Sequence, residues 1–317
     1  MSCPICCSRQ TLPWSDRIWL LPVNRREFRY RNCAECGTVF SDPMPEAAEL
    51  AAYYREYFNY GWYDEHLPFK KIQAAHRWRR MAPLFDKYAI KPRRLLDVGC
   101  GHGLFVSHAE KGGWSAQGLD YPSLATRHAR ENLRLEIVEG DLRTVASERT
   151  LDGAQFDFIT AWHCLEHDTD PLGFLQGINR LLSPGGKVLI AVPNADAFGM
   201  KARREDWVWC QQPYVHLLHF TPKSLDLLAG KAGLKVLETW TRDTWDAHPA
   251  FDVYAAPHVK RLARFLRRFN GRAAFWAEEV SRLACYFAGC RDHWLEGKES
   301  AGMEGSELLI LAQSADS

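Results

Sequence analysis

The chain has 317 residues, 46% hydrophobic and 25% charged, which excludes a fibrous or wholly disordered protein and allows one large domain with a smaller appendage. Its 40 basic and 39 acidic residues leave a formal charge of +1, which argues against a surface built as a whole for nucleic acid or an anionic membrane. No basic leader precedes an apolar run, and no stretch reaches the roughly 18 apolar residues of a membrane helix; a cytoplasmic, non-spanning protein is expected.

Residues 1–42 read as a small module. Cys3-Pro4-Ile5-Cys6 and Cys33-Ala34-Glu35-Cys36 are two C-x-x-C pairs, 26 residues apart. Thiolates at this spacing enclose tetrahedral zinc, so Cys3, Cys6, Cys33 and Cys36 are expected to hold a structural Zn2+. Runs such as Glu27 to Arg31 read as short strands. Residues 43–90, opened by Pro43 and Pro45 and rich in Ala, Glu, Arg and aromatics, read as two lead-in helices joined near Gly61.

From residue 91 to 317 short apolar runs alternate with helical stretches. The runs are Leu95–Val98, Ala116–Asp120, Leu135–Val138, Phe156–Ile159, Lys187–Val192, Leu234–Leu237 and Leu308–Ala312, with a turn at Ser183-Pro184-Gly185-Gly186 before the fifth. Such alternation implies βαβ crossovers and an α/β sheet of seven strands. A helical insertion is expected at about 250–300. Within it, residues 259–269 set Val259, Leu262, Phe265, Leu266 and Phe269 against five basic residues at helical spacing, a basic amphipathic helix.

The first strand of that series ends in Asp97 and runs into Gly99, Gly101 and Gly103 before a helix starting near Leu104. Glycines at the carboxyl end of a strand let backbone approach a nucleotide-bearing ligand. A dinucleotide fingerprint needs glycine three positions after Gly101, where Leu104 stands, so a pyrophosphate cofactor is disfavoured. Asp120, 17 residues after Gly103 at the next strand end, is placed to accept from both ribose hydroxyls.

The segment Leu95-Leu96-Asp97-Val98-Gly99-Cys100-Gly101-His102-Gly103 resembles motif I of class I S-adenosylmethionine-dependent methyltransferases, over residues 90–240. The resemblance implies a Rossmann-like seven-stranded methyltransferase sheet preceded by a zinc ribbon. It implies that Asp97, Gly99, Gly101 and Gly103 hold the methionyl part of S-adenosyl-L-methionine and Asp120 the ribose. It also implies that Asp141 lies near the adenine amino group, Leu142 against the ring, and Trp162 beside the donor. Ala161-Trp162-His163-Cys164-Leu165-Glu166-His167-Asp168 is similar to the Leu-Glu-His signature of ubiquinone-type O-methyltransferases. His163 or His167 is then a candidate general base. Alternatively Glu166 with His167 holds a divalent ion that acidifies a hydroxyl, although ubiquinone-type enzymes carry a carboxylate where His163 stands. The plainer reading is that Glu166 and His167 cap the next helix. His216-Leu217-Leu218-His219-Phe220-Thr221-Pro222 resembles a segment of the same group, making His216 and His219 further catalytic candidates, beside Trp207, Trp209 and Tyr214. The expected activity is O-methylation of a small-molecule acceptor, a natural product or sugar-like intermediate. The alternative is methylation of RNA or protein, with the ribbon and the basic helix as recognition surface. Acceptor and oligomeric state stay open.

Overall fold

The computed structural model describes residues 1–56, 67–121, 123–147, 155–210, 212–244 and 303–315, with isolated positions between 261 and 280. Gly61, most of the basic stretch 259–269 and most of the insertion at 250–300 lie outside the described residues.

Seven strands form one sheet: β5 (Arg94–Val98), β6 (Ser115–Asp120), β7 (Ile137–Glu139), β8 (Phe156–Trp162), β9 (Leu182–Pro193), β11 (Leu234–Arg242) and β12 (Glu307–Ser314). Their order is β11-β12-β9-β8-β5-β6-β7. Neighbouring strands from β7 to β9 pair in parallel, and β12 runs antiparallel to both β9 and β11.

Side-chain alternation within these strands divides the core in two. Leu95, Phe158, Leu189, Leu309 and Leu311 face α2 (Leu67–Tyr88) and α3 (Leu104–Lys111), meeting Phe85, Phe105 and Val106. Leu96, Ile159, Val188, Ile190 and Ile310 face the opposite layer of α6 (Pro171–Leu181) and α8 (Pro222–Lys231), meeting Phe174, Ile178 and Leu225. Every one of these central-strand side chains is fully buried. At β5 the connections diverge, to β6 on one side and β8 on the other, which is where open α/β sheets bind ligands.

Two of the expected strand starts shift by two residues or more, and several strands run on past their expected ends. The third strand starts at Ile137 rather than Leu135, because the Leu135 amide donates to Ala129 O at 3.1 Å and closes the end of α4 (Leu124–Asn132). The fifth starts at Leu182, and Ser183 to Gly186 loop out between the Phe156↔Leu182 and Phe158↔Lys187 pairings. The described residues of the lead-in region include α1 (Ala47–Glu56) and α2.

The N-terminal strands β1 (Thr11–Pro13), β2 (Trp19–Leu20), β3 (Glu27–Cys33) and β4 (Val39–Asp42) make a second sheet. Its fifth strand is β10 (Leu218–His219), which comes from the large domain and pairs antiparallel with β4. Cys3, Ile5, Cys33 and Cys36 are buried in the same cluster as Leu217, Leu218, Phe220 and Leu225, so the cysteine module and the large domain share one core. No helix of the described residues is long and apolar enough to cross a membrane.

Candidate active site

The turn after β5 is built as its glycines suggest. Gly99, Gly101 and Gly103 have φ of 72°, 51° and 67°, a region that side chains with a Cβ rarely enter. A Cβ on Gly99 would come within 2.1 Å of Cys164 Sγ, whereas one on Gly101 would meet nothing within 4 Å. The turn is therefore packed underneath and open at Gly101. Asp120, at the end of β6, accepts from Gly101 N and Tyr121 N, each at 2.7 Å. Asp97 is 2% exposed and accepts from Thr160 Oγ1 at 2.7 Å. Burial pushes its carboxyl up to about 7, against the opposing pull of the Thr160 hydroxyl and Arg77. Trp162, the last residue of β8, lies beneath the Arg77 guanidinium, 4.5 Å from the ring centroid. Its buried Nε1 has no hydrogen-bond partner.

Two of the expected donor-side residues are more engaged than the sequence suggests. Asp141 accepts from Arg143 Nε at 3.0 Å and Nη2 at 2.8 Å, and from Tyr121 Oη at 2.7 Å. The Arg143 guanidinium holds its carboxyl well below the usual carboxylate range. Leu142 opens α5 (Leu142–Ser147) and is buried in the core next to Gly177.

The loop after β8 gathers the acceptor-side candidates. His163 sits at a φ of 54°, with Nδ1 3.2 Å from Glu166 Oε1 and Nε2 2.7 Å from Glu307 Oε1. Burial alone would favour the neutral ring, but the two carboxylates prevail and push His163 up to about 9. It is an imidazolium at neutral pH, a poor starting point for a base. Glu166 is fully buried, and its Oε2 has no partner. The cap of α6 is Asp170, whose Oδ1 accepts from Gly173 N at 3.0 Å, so Glu166 and His167 are not spent on it.

His167 and His216 face this carboxylate with their tautomers fixed. His167 Nδ1 lies 2.8 Å from Val215 O and His216 Nδ1 2.7 Å from Trp209 O. A carbonyl only accepts, so both Nδ1 atoms carry a proton, and in the neutral tautomer the lone pair falls on Nε2. Glu166, His167 and His216 each offer a ligand atom within 4.8 Å of the others. Burial drives the His216 ring well below the ordinary histidine range, keeping it neutral. His219 lies deeper, fully buried, with Nε2 on the same Trp209 carbonyl at 3.1 Å.

The four predicted zinc ligands converge as well. Cys3 Sγ lies 3.6 Å from Cys36 Sγ and Cys6 Sγ 3.4 Å from Cys33 Sγ, with all four within 4.8 Å. Sulfurs about 2.3 Å from a tetrahedral zinc lie about 3.8 Å apart. Each knuckle ends on a left-handed residue, Cys7 at φ 64° and Gly37 at φ 77°. Hydrogen bonding within the Cys3–Cys36 pair pulls Cys36 below the ordinary thiol range.

Residues 37–239 match the family model described as a methyltransferase domain. The chain belongs to the methyltransferase-domain family. Relatives of this family member include the ubiquinone biosynthesis O-methyltransferase of Pseudomonas aeruginosa, 28% identical over 149 residues, which are 46% of this chain and 63% of that protein. The match thus spans less than two thirds of that relative's length. The Methylococcus capsulatus enzyme of the same name is 27% identical over 184 residues, 57% of this chain and 74% of its own. A solved S-adenosylmethionine-dependent methyltransferase from Archaeoglobus fulgidus superposes with a TM-score of 0.50 at 17% identity, covering 81% of this chain and 100% of its own. That likeness supports the fold.

Several residues of this methyltransferase-family site carry no motif. Glu307, at the start of β12, is fully buried and accepts from Arg242 Nε, with Arg77 Nη2 3.6 Å away. Tyr30 Oη donates to His216 O at 2.8 Å from the N-terminal sheet. A charge beginning an apolar strand reads as a solvated strand end, and a tyrosine in a short strand reads as core. Only three-dimensional placement reveals either.

Proposed function

We propose that this chain transfers the methyl group of S-adenosylmethionine to a hydroxyl oxygen of a small-molecule acceptor. The observation that carries the oxygen reading is the buried, unpartnered Glu166 Oε2 beside two histidines whose Nδ1 protons are committed to backbone carbonyls. The names of the relatives, O-methyltransferases of ubiquinone biosynthesis, support an oxygen acceptor.

On the donor side, Gly101 opens onto unfilled space and Asp120 stands at the adjacent strand end, so the turn and Asp97 fit the methionyl part and Asp120 the ribose. Asp141 can serve the adenine amino group only through an oxygen it shares with Arg143 or Tyr121. The sulfonium supplies an electrophilic methyl and leaves as a neutral thioether, taking the electron pair of the broken C–S bond.

On the acceptor side, two imidazole Nε2 atoms and one carboxylate fit the donor set that binds a divalent cation while leaving positions open. The second nitrogen of each ring is anchored as in metal-bound histidines. A cation held there would lower the pKa of a coordinated hydroxyl, whose proton would pass to solvent water as the oxygen attacks the methyl. Glu166, His167 and His216 would orient the acceptor oxygen, and the protein's fixed geometry would align it with the methyl for in-line attack. The His163 ring, bridging Glu166 and Glu307, holds the Glu166 carboxylate in place.

We also propose structural zinc at Cys3, Cys6, Cys33 and Cys36, supported by their mutual distances. Thiols kept for metal suit the reducing cytoplasm.

The reading is tested by incubating the protein and S-adenosylmethionine with panels of phenols, catechols, sugars, amines and thiols and measuring S-adenosylhomocysteine. Turnover is expected with a hydroxyl acceptor. Turnover confined to amines or thiols would overturn the oxygen reading.

A further inference from the structure

The segment that presents His216, just before β10, is clamped between two parts of the molecule. On one side, Leu217 N donates to Glu166 O at 2.8 Å and His167 Nδ1 donates to Val215 O at 2.8 Å. On the other, Ser41 N donates to Leu217 O at 2.9 Å and Tyr30 Oη donates to His216 O at 2.8 Å. The pairings Leu218↔Phe40 and His219↔Val39 continue that second clamp. Tyr30 is fully buried, and its ring stands edge-on to His219 at 5.2 Å.

The same clamp reaches the cysteines. Thr221 Oγ1, which accepts from Ser224 N at 3.1 Å and so caps α8, donates to Cys36 O at 2.7 Å. A Cβ on Gly37 would lie 2.8 Å from Thr221 Cγ2, so the knuckle sits directly on this cap. Lys231 Nζ, at the far end of α8, donates to Ile5 O at 2.6 Å in the other knuckle. Within the knuckle, Cys33 N donates to Thr38 O at 3.0 Å, and Val39 follows as the first residue of β4. The turn that closes the cysteine group therefore sets where β4 begins.

We propose that the four-cysteine module is a wall of the acceptor site, with Tyr30 and β4 as positioning elements that hold Val215 to His219 where His216 meets Glu166 and His167. The proposal rests on the acceptor reading above. It goes further in assigning control of that site to the state of the cysteine group. None of the clamp's hydrogen bonds involves the glycine turn, so the donor side should not feel the change.

Tyr30→Phe tests this while preserving the buried ring. Removing one hydrogen bond to a buried carbonyl should speed amide exchange at Leu217 and His219 roughly fivefold. The Nδ1 15N resonance of His216 should broaden or shift as its bond to Trp209 O loosens. Exchange at Gly99 and the dissociation constant for S-adenosylhomocysteine should stay within about twofold. Stripping the cysteine group with a chelator, or Cys36→Ser, should produce the same pattern more strongly; where Cys36→Ser does not fold, Tyr30→Phe decides. Equal loosening of Gly99 and Leu217, or loss of S-adenosylhomocysteine binding in parallel, would reduce the module to a general stabiliser and overturn the proposal. So would unchanged exchange and an unchanged His216 resonance in Tyr30→Phe. The Tyr30→Phe readouts need neither acceptor nor a cation at Glu166, His167 and His216, so failure of the O-methylation reading would leave them intact.

Discussion

Glu307 Oε1 lies 2.7 Å from His163 Nε2, joining residues 144 positions apart at the mouth of the β8–β9–β12 strand ends. With Glu166, Arg242 and Arg77 it forms a buried, charge-alternating chain. Removing one partner from such a chain leaves the others desolvated and uncompensated. Glu307→Gln keeps the shape and deletes the charge, so it should lower the unfolding free energy by about 3 kcal/mol, measured by urea denaturation at pH 7.5. A cost below about 0.5 kcal/mol, ordinary for a surface substitution, would mean that solvent already screens the network.

The Glu166, His167 and His216 group should bind one Mn2+ per chain, read by loss of the free-ion EPR signal. Thiolates select softer ions than manganese, so the cysteine group should not compete. His216→Ala and Glu166→Gln should each weaken this binding at least tenfold and cut methyl transfer about 100-fold, while S-adenosylhomocysteine still binds. Full manganese affinity in both variants would rule out the assigned ligands.

Much of this was legible in the sequence, for physical reasons. The central strands announce themselves because fully buried strands need continuous apolar runs, as in Leu189 to Val192. The glycine turn after β5 does so because φ values near 60° at three alternate positions demand glycine. The cysteine pairs do so because two thiols three positions apart on a tight turn point to one spot, as the four sulfurs do here. What was not legible depends on distant segments meeting. Strand β10 is two residues long and has no periodicity to detect. The partner of His163 lies at position 307. The residue that fixes the His216 carbonyl lies at position 30. The histidines were visible as candidates, but their division of labour was not. Which ring is charged between carboxylates and which keeps a lone pair depends on partners that only the fold supplies.

The crowding under the donor turn makes a sharp prediction for Gly99→Ala. The new methyl would fall 2.1 Å from Cys164 Sγ at a φ of 72°. Left-handed backbone alone costs a residue with a Cβ about 1–2 kcal/mol, and the clash adds to it. The variant should lose at least tenfold in S-adenosylhomocysteine affinity by calorimetry. Gly101→Ala, strained at φ 51° but meeting no atom of the protein, should fold with a smaller loss of stability and lose donor binding because its methyl occupies the ligand's space. If Gly101→Ala bound normally, the donor would have to lie elsewhere.

Asp97 should make donor binding depend on pH. Its carboxyl is pushed up to about 7 by burial, from an ordinary value of 3.8. An acid whose pKa is higher folded than unfolded binds its proton more tightly when folded. Its contribution to stability is therefore complete below about pH 4 and is lost as pH rises through about 7. The donor's ammonium group favours the charged carboxylate, so binding runs the other way. Below pH 7 a proton must first leave Asp97, and each further unit should cost up to tenfold in affinity. S-adenosylhomocysteine should thus bind about tenfold more weakly at pH 6 than at pH 8, by calorimetry in buffers of matched ionic strength. Asp97→Asn should bind weakly at both values and show a flatter profile of stability between pH 5 and 8. A wild-type affinity that is level across this range would mean that Asp97 stays charged in the free protein, or that it does not meet the ammonium.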